Sequence, residues 1–164
     1  MIGRLAGSAG MQAMPSSPSD RGLPTIVIDT REQEPYSFDP RLAAVVRRAL
    51  PAGDYSVAGM EERIAVERKT LDDFVATVIR QRERFRRELQ TLGSFRAACV
   101  VVEAGLDDIL QRRYRGGAHP HAVLGSALSI VLDFGVPVFF CSDRPSACHF
   151  TQAWLLAAHA RWGT

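Results

Sequence analysis

Short apolar runs alternate with stretches of helical periodicity along most of the chain, and this alternation limits the fold more than any other feature. Short apolar runs are typical of buried strands, whereas apolar residues that repeat with helical spacing predict amphipathic helices. Strands are predicted at residues 25–29, 54–57, 63–69, 98–103 and 136–141. Helices are predicted at residues 42–50, 70–92, 106–112, 121–134 and 145–161. A mixture of this kind favours a layered α/β domain whose helices flank a central sheet.

The segment at residues 70–92 has the clearest helical periodicity in the sequence. Leu71 and Phe74 begin a series of apolar residues that keeps helical spacing to the end of the segment. Thr70 stands at the N-cap position, and Asp73 follows it at the spacing of a capping-box variant. An acid in the first turn also interacts favourably with the helix dipole. The sequence therefore predicts a single capped helix here.

The first 24 residues differ in composition from the rest of the chain. Residues 1–24 are rich in Gly, Ser, Ala, Met and Pro and show no sustained period, which is typical of a mobile tail. Residues 25–164 have the length of one domain. No apolar run is long enough to span a membrane. The three cysteines lack the spacing of a disulfide framework or a zinc site, which favours a reducing cytoplasm.

Lys69 is the only lysine among the 20 basic residues of the chain. So strong a bias toward arginine indicates GC-rich codons, and hence a bacterial or phage source. The compact ammonium of lysine can approach an attacking water or a phosphate where the broad guanidinium of arginine does not fit. Lys69 is therefore a candidate for chemistry, with chance survival of one lysine as the alternative.

The register of a predicted β-hairpin at residues 54–67 follows from its apolar pattern. If the turn is centred between Met60 and Glu61, Tyr55 opposes Val66 on an apolar face. A slip of one residue would mix apolar and polar side chains on both faces, so this register is preferred.

In this register two carboxylates and the single lysine share the other face of the hairpin. Asp54 opposes Glu67 with Cβ atoms about 4.5–5.5 Å apart, and Lys69 lies on the same face because side chains alternate along a strand. Two adjacent carboxylates repel each other unless a cation neutralises them, and Mg²⁺ prefers such oxygen ligands. This set suits metal-assisted hydrolysis of a phosphodiester. The alternative is an ordinary charge cluster on a surface hairpin.

Several short motifs follow one another along the chain in a recognisable order. They are Ile28-Asp29-Thr30-Arg31-Glu32, Gly53-Asp54-Tyr55, Glu67-Arg68-Lys69 with Asp73 beyond it, Arg84-Phe85 with Arg87-Glu88-Leu89, and Val100-Val101-Val102-Glu103. This ordered set resembles the D-x-R-E and GD…ERKxxxD motifs of XPF-type structure-specific endonucleases, which belong to the PD-(D/E)XK nuclease superfamily. The resemblance extends over residues 25–162. It implies an α/β domain of the restriction-endonuclease-like fold, with a mixed central sheet flanked by helices.

The resemblance also implies a function and the residues that perform it. The implied activity is hydrolysis of DNA phosphodiester bonds at branches or flaps, dependent on Mg²⁺ or Mn²⁺, as in DNA repair and recombination. The implied site residues are Asp29, Asp54 and Glu67 at the metal, Lys69 at the attacking water, and Arg31, Glu32, Arg68 and Asp73 in support. The main-chain carbonyl of Arg68 is a further candidate ligand. Asp73 has helix capping as its alternative, and Glu103 either reaches the metal or caps a loop.

Three arginines in the predicted helix at residues 70–92 are candidate DNA contacts. Arg80, Arg84 and Arg87 share one face of a continuous helix, and such a face can follow a phosphate backbone. The alternative is a solvated face in which Glu83 and Glu88 are local partners.

Partners other than DNA are expected from what this chain lacks. Many members of the resembled family append a helix-hairpin-helix domain, and this sequence stops at Thr164. A homodimer or a separate DNA-binding partner is therefore expected. The apolar segments near residues 121–134 and 151–160 are candidate interfaces, with buried core helices as the equal alternative. A non-cleaving DNA-binding or dimerisation subunit is the alternative function, although the intact acids and Lys69 argue against it. A sequence-specific restriction enzyme would share the chemistry and differ in its target.

Overall fold

The computed structural model describes residues 22–163 of the chain. Nearly all of the tail predicted at residues 1–24 lies outside this range. The strands are β1 (Thr25–Ile28), β2 (Ala44–Arg47), β3 (Tyr55–Val57), β4 (Ile64–Lys69), β5 (Ala97–Val102) and β6 (Val138–Phe140). The helices are α1 (Leu71–Arg80), α2 (Arg82–Ser94), α3 (Leu106–Leu110), α4 (Pro120–Phe134) and α5 (Arg144–Trp162). No helix within the described range is both long and apolar enough to cross a membrane.

The six strands of the described residues form one mixed sheet in the order β2-β1-β3-β4-β5-β6. β3 pairs antiparallel with both β1 and β4. The other neighbouring strands pair in parallel: β1 with β2, β4 with β5, and β5 with β6. The predicted hairpin therefore occupies the centre of the sheet. Its predicted register is confirmed, because Tyr55 pairs with Val66.

Helices cover both faces of the sheet, so the molecule has two hydrophobic cores. Helices α1 to α4 pack on one face, where Phe74 shares a core with Val100 and Val102 of β5. Helix α5 packs on the other face, where Leu155 shares a core with Val101. Alternating side chains of β5 thus enter different cores, and the strand is apolar on both faces, as buried parallel strands are. The predicted α/β architecture is confirmed.

The predicted helix at residues 42–50 is wrong. Residues Ala44–Arg47 form strand β2, an edge strand that runs parallel to β1 with Val45 opposite Ile26. The segment is short and contains the β-branched residues Val45 and Val46, which favour an extended conformation. Periodicity alone cannot separate helix from strand in so short a run, and the hydrogen bonds offered by β1 decide the outcome.

The prediction of one helix at residues 70–92 is also wrong in one respect, because this segment is divided between two helices, α1 and α2. Gln81 separates α1 from α2 and leaves helical geometry, with φ −116° and ψ 31°. Residues 77–85 contain no glycine or proline, and apolar residues keep helical spacing across the junction. The predicted cap is confirmed, since the Asp73 main-chain N–H donates to Thr70 Oγ1 at 3.2 Å.

Candidate metal centre

Asp54 is fixed beside strand β4 by the turn that precedes β3. Gly53 adopts a positive φ of 75°, and a Cβ atom there would lie 3.0 Å from the Val66 carbonyl oxygen. Only glycine takes this conformation without strain. The Asp54 N–H donates to the Val66 carbonyl at 2.8 Å, and the Arg68 N–H donates to Asp54 Oδ2 at 2.7 Å. Main-chain hydrogen bonds therefore hold both the backbone and the carboxylate of Asp54 against β4.

Glu67 and Lys69 lie on the same face of β4, at its carboxyl end. The Lys69 Nζ atom is 3.0 Å from Glu67 Oε1, and their side chains are only 12% and 15% exposed, respectively. The ammonium also lies 4.9 Å from the centre of the Phe85 ring, a cation–π contact from helix α2. Two neighbours thus restrict the position of the amine.

The carboxylates of Asp54 and Glu67 interact unfavourably with each other. Burial raises the pKa of Asp54 to about 8, and the negative charge of Glu67 adds to this effect. Burial also raises the pKa of Glu67, although the ammonium of Lys69 opposes the change. A buried pair of like charges is costly unless a cation neutralises it.

The oxygen atoms that this pair leaves free suit a hard divalent cation. No donor within residues 22–163 makes a hydrogen bond to Asp54 Oδ1 or Glu67 Oε2. The same residues contain no group of three or more His, Cys, Asp or Glu side chains that could hold a metal ion. Mg²⁺ is usually held by one or two carboxylates together with water. The donors present therefore fit Mg²⁺ or the similar ion Mn²⁺.

Asp29 lies at the end of β1 and directs its carboxylate toward Arg31. Asp29 Oδ1 accepts from the Arg31 N–H at 2.8 Å and from Nε at 2.7 Å, while Oδ2 accepts from the Leu50 N–H at 2.7 Å. Burial alone would raise the pKa of Asp29, but these hydrogen bonds outweigh burial and hold it below its usual value. Both oxygens thus have protein donors, and the metal-binding role of Asp29 stays a prediction.

Arg31 presents its guanidinium to solvent beside the carboxylate pair. Its side chain is 73% exposed although Asp29 holds one edge of it. Asp29 raises the pKa of Arg31 most, and the charges of Asp54 and Glu67 raise it further. A cation held in this position can meet an anionic group that approaches the pair.

The Arg68 side chain points to the opposite face of the sheet from its neighbours in β4. Arg68 Nε lies 3.0 Å from Glu32 Oε2, and Nη1 lies 3.0 Å from Glu103 Oε1. Glu103 Oε1 also accepts from the Tyr36 hydroxyl at 2.9 Å and from Arg144 Nη1 at 3.0 Å. Glu32 and Glu103 therefore bind Arg68 behind the site. No motif in the sequence points to Arg144, which lies 41 residues beyond Glu103 along the chain.

Glu67 and Lys69 face a cleft of about 140 Å³ at the junction of α1 and α2. The cleft is lined by Glu67, Lys69, Thr77, Gln81, Arg84, Phe85 and Glu88. The break at Gln81 therefore lies at the site, and no sequence pattern predicted a role there for Gln81, Phe85 or Thr77. Phe85 belongs to one of the motifs that carry the resemblance, but its helical spacing indicated a core residue.

The three candidate DNA-binding arginines do not share one helical face. Arg80 ends α1, whereas Arg84 and Arg87 lie in α2 beyond the break at Gln81. All three are exposed, and Arg84 Nε is 3.5 Å from Glu88 Oε1. Arg84 alone of the three lines the cleft. Their contact with DNA stays a prediction.

Asp73 is exposed in the first turn of α1. Its main-chain N–H is capped by Thr70, and its charge is favourably placed near the positive end of the helix dipole. These features explain an acid at this position by helix capping. A role for the Asp73 carboxylate in chemistry stays a prediction.

Comparisons with known proteins place these features in context. Residues 28–153 match the family model described as the ERCC4 domain. A protein of Methanocaldococcus jannaschii, whose name proposes an ATP-dependent RNA helicase, is 32% identical over 118 residues, which are 72% of this chain and 14% of that protein. The chain therefore corresponds to a small part of that relative.

Two solved structures share the fold. They are XPF from Aeropyrum pernix, with a TM-score of 0.65, and the same protein in complex with DNA, with a TM-score of 0.62. Each is 24% identical, and each match covers 84% of this chain and 66% of that one. The predicted sheet flanked by helices is thus the fold of the XPF nuclease domain.

Proposed function

The chain belongs to the ERCC4 domain family, and from this membership and the site geometry we propose that it is a metal-dependent DNA endonuclease of the XPF type. The observation that carries the proposal is the meeting of three charged groups at the end of β4. The charge of Glu67 acts on Asp54, which lies in the turn before β3, and Lys69 Nζ lies 3.0 Å from Glu67 Oε1. The complex of Aeropyrum pernix XPF with DNA supports DNA as the polymer bound. Branched or flap DNA is the proposed substrate, following the XPF-type resemblance.

Asp54 and Glu67 hold the metal in this proposal, with the Arg68 carbonyl as a further ligand. When bound, Mg²⁺ or Mn²⁺ activates water and offsets charge on the phosphoryl oxygens. Glu67 and Phe85 keep the Lys69 ammonium at the edge of the cleft, where it donates hydrogen bonds to the attacking water or to the phosphate. The residues thus position the reactants before the bond to phosphorus breaks.

Exposed arginines bind the DNA backbone in this proposal. Arg31, held at one edge by Asp29, is placed to pair with a phosphate beside the carboxylates. Arg84 reaches the same cleft from α2, and Arg80 and Arg87 extend the positive surface. Asp29 then acts on DNA through Arg31, in addition to its predicted role at the metal.

A second copy of the chain or a separate protein is the proposed partner. The apolar residues Leu128, Val131 and Leu132 of α4 are exposed, and Leu132 is 79% exposed. Exposed apolar patches of this kind often mark protein–protein interfaces. Such a partner would supply further contacts with DNA.

A cleavage assay with Asp54→Ala tests the proposed function. With flap, fork, four-way and linear DNA in Mg²⁺ or Mn²⁺, we expect the parent to nick near the junctions. The Asp54→Ala protein should lose activity by about 100-fold or more, since it lacks half of the carboxylate pair. Asp39→Ala, which removes a half-buried aspartate paired with the exposed Arg41, is the matched control. Cleavage by Asp54→Ala at the parental rate would contradict the site assignment. If the parent binds DNA but does not cleave it, the alternative function of a non-cleaving DNA-binding subunit would be favoured.

A further inference from the structure

We propose that Arg144, the first residue of α5, positions the candidate metal centre from the opposite face of the sheet by clamping Glu103 against Arg68. This inference rests on the proposed function and extends it to a residue outside the motifs that carry the resemblance. Arg144 is a positioning residue here, because it acts through Arg68 and touches neither metal ligand side chain.

The clamp joins the 40% exposed side chain of Arg144 to two buried charges, Glu103 and Arg68. Glu103 Oε1 accepts from Arg144 Nη1 and Arg68 Nη1, both at 3.0 Å. The side chains of Glu103 and Arg68 are only 8% and 10% exposed, respectively. Buried charges need partners with good geometry, and removal of one partner leaves the others uncompensated. Loss of Arg144 would therefore disturb the position of Arg68.

Arg144 supports both of the carboxylates that hold Arg68. It binds Glu103 directly, and its Nη2 donates to the Glu34 carbonyl at 2.7 Å and to the Pro35 carbonyl at 3.3 Å. Glu34 and Pro35 belong to the loop that carries Glu32, the second carboxylate on Arg68. One side chain of α5 thus restrains the whole environment of the Arg68 guanidinium.

Both guanidinium groups also pack on the same aromatic ring. The Cζ atoms of Arg144 and Arg68 lie 5.0 Å and 5.8 Å, respectively, from the centre of the Tyr36 ring. The Tyr36 hydroxyl donates to the Glu103 carboxylate that the two arginines share. The ring therefore fixes the spacing between the two cations.

The position of Arg68 matters because its main chain forms part of the metal centre. Arg68 lies between Glu67 and Lys69 in β4, and its N–H donates to Asp54 Oδ2 at 2.7 Å. Since side chains alternate along a strand, a guanidinium fixed on one face fixes the direction of its neighbours on the other. The clamp thereby orients Asp54 and Glu67 relative to each other.

Arg144→Gln and Gln152→Ala form a matched pair of variants for the test. Gln152 also belongs to α5 and holds the 34–39 loop region, through hydrogen bonds at 3.0 Å with the Asp39 N–H and carbonyl. It makes no hydrogen bond to Glu103 or Arg68 among the described residues. A role that is merely structural predicts the same behaviour for both variants.

Three measurements distinguish the roles. Hydrogen exchange at the Arg68 amide reports the bond to Asp54 in the metal-free protein, calorimetry with Mn²⁺ reports metal affinity, and steady-state cleavage separates kcat from the KM for DNA. For Arg144→Gln we expect faster exchange, Mn²⁺ affinity and kcat each lower by about 10-fold, and KM within about two-fold of the parent. Gln152→Ala should match the parent in all three. Arg144→Lys keeps a cation near Glu103 and should show smaller losses.

Equal changes in Arg144→Gln and Gln152→Ala, or parental Arg68 exchange and Mn²⁺ affinity in Arg144→Gln, would overturn the clamp. If Arg144→Gln does not fold, parental exchange and Mn²⁺ affinity in Arg144→Lys would overturn it too. Failure of the proposed function looks different, because the parent itself would then neither bind Mn²⁺ nor cleave DNA. The exchange measurement on metal-free protein still tests the clamp in that case.

Discussion

At the scale of single residues, the buried carboxylates of Asp54 and Glu67 lower the free energy of unfolding at the candidate metal centre. Both carboxyls are largely removed from water, and each disfavours ionisation of the other. An acid whose pKa is higher in the folded protein than in the unfolded chain destabilises the fold as the pH rises between the two values. For Asp54 this range runs from its usual value of 3.8 to about 8.

The metal-free Asp54→Asn protein should therefore be more stable than the parent at alkaline pH. The amide removes the like charge beside Glu67 and keeps an oxygen that can accept from the Arg68 N–H. We expect a gain of roughly 1–3 kcal/mol in the free energy of unfolding near pH 9, shrinking as the pH falls toward 4. Urea unfolding in EDTA at several pH values measures it. A loss of stability that is the same at every pH would contradict the electrostatic account.

The individual residues also show where sequence reasoning succeeds. Asp54, Glu67 and Lys69 belong to one hairpin, so alternation and register suffice to bring them together. The partners of Asp29 and Glu103 could not be obtained in this way. The Leu50 amide and Arg144 reach those carboxylates through loop and helix positions that no local period specifies.

At the scale of elements, the junction between α1 and α2 is the feature most closely tied to the site. The break at Gln81 brings Phe85 and Arg84 of α2 to the cleft beside Glu67. The residues around the break carry neither glycine nor proline, so the local sequence does not specify it. Strand β2 is a similar case, since its extended form depends on pairing with β1.

The exposed arginines of α2 should set the salt dependence of DNA binding. Replacing both Arg84 and Arg87 with Gln removes two cations that contact phosphates in the proposed function. The slope of log affinity against log salt should then fall in magnitude by about 2. Anisotropy titrations in Ca²⁺ at several salt concentrations measure the slope.

The matched control for this slope is Arg41→Gln with Arg48→Gln, two exposed arginines near β2 that already pair with Asp39 and Glu61. We expect this double variant to keep the parental slope. An unchanged slope for the α2 variant would indicate that Arg84 and Arg87 are merely solvated.

At the scale of the whole molecule, the exposed apolar residues of α4 form the surface proposed for a partner. Leu132 is exposed, so Leu132→Lys should leave the melting temperature of the folded chain within about 2 °C of the parent. If α4 forms the interface, the same change places a charge in an apolar contact and should weaken self-association by about 10-fold or more. Sedimentation velocity over a range of concentrations measures this. Parental self-association would exclude Leu132 from the interface.

The fold as a whole should become more stable when the metal binds, because the ion neutralises the like charges of Asp54 and Glu67. Binding to the folded state alone stabilises it by about 1.4 kcal/mol at a metal concentration ten times the dissociation constant. Melting temperatures should therefore rise with added Mn²⁺ in the parent and stay constant in Glu67→Gln, which loses one of the two ligands. Asp39→Ala should behave as the parent does, since its exposed pair with Arg41 lies outside the proposed metal ligands. An equal rise in the parent and in Glu67→Gln would mean that Mn²⁺ binds elsewhere, and the carboxylate pair would then be a structural feature of the central hairpin.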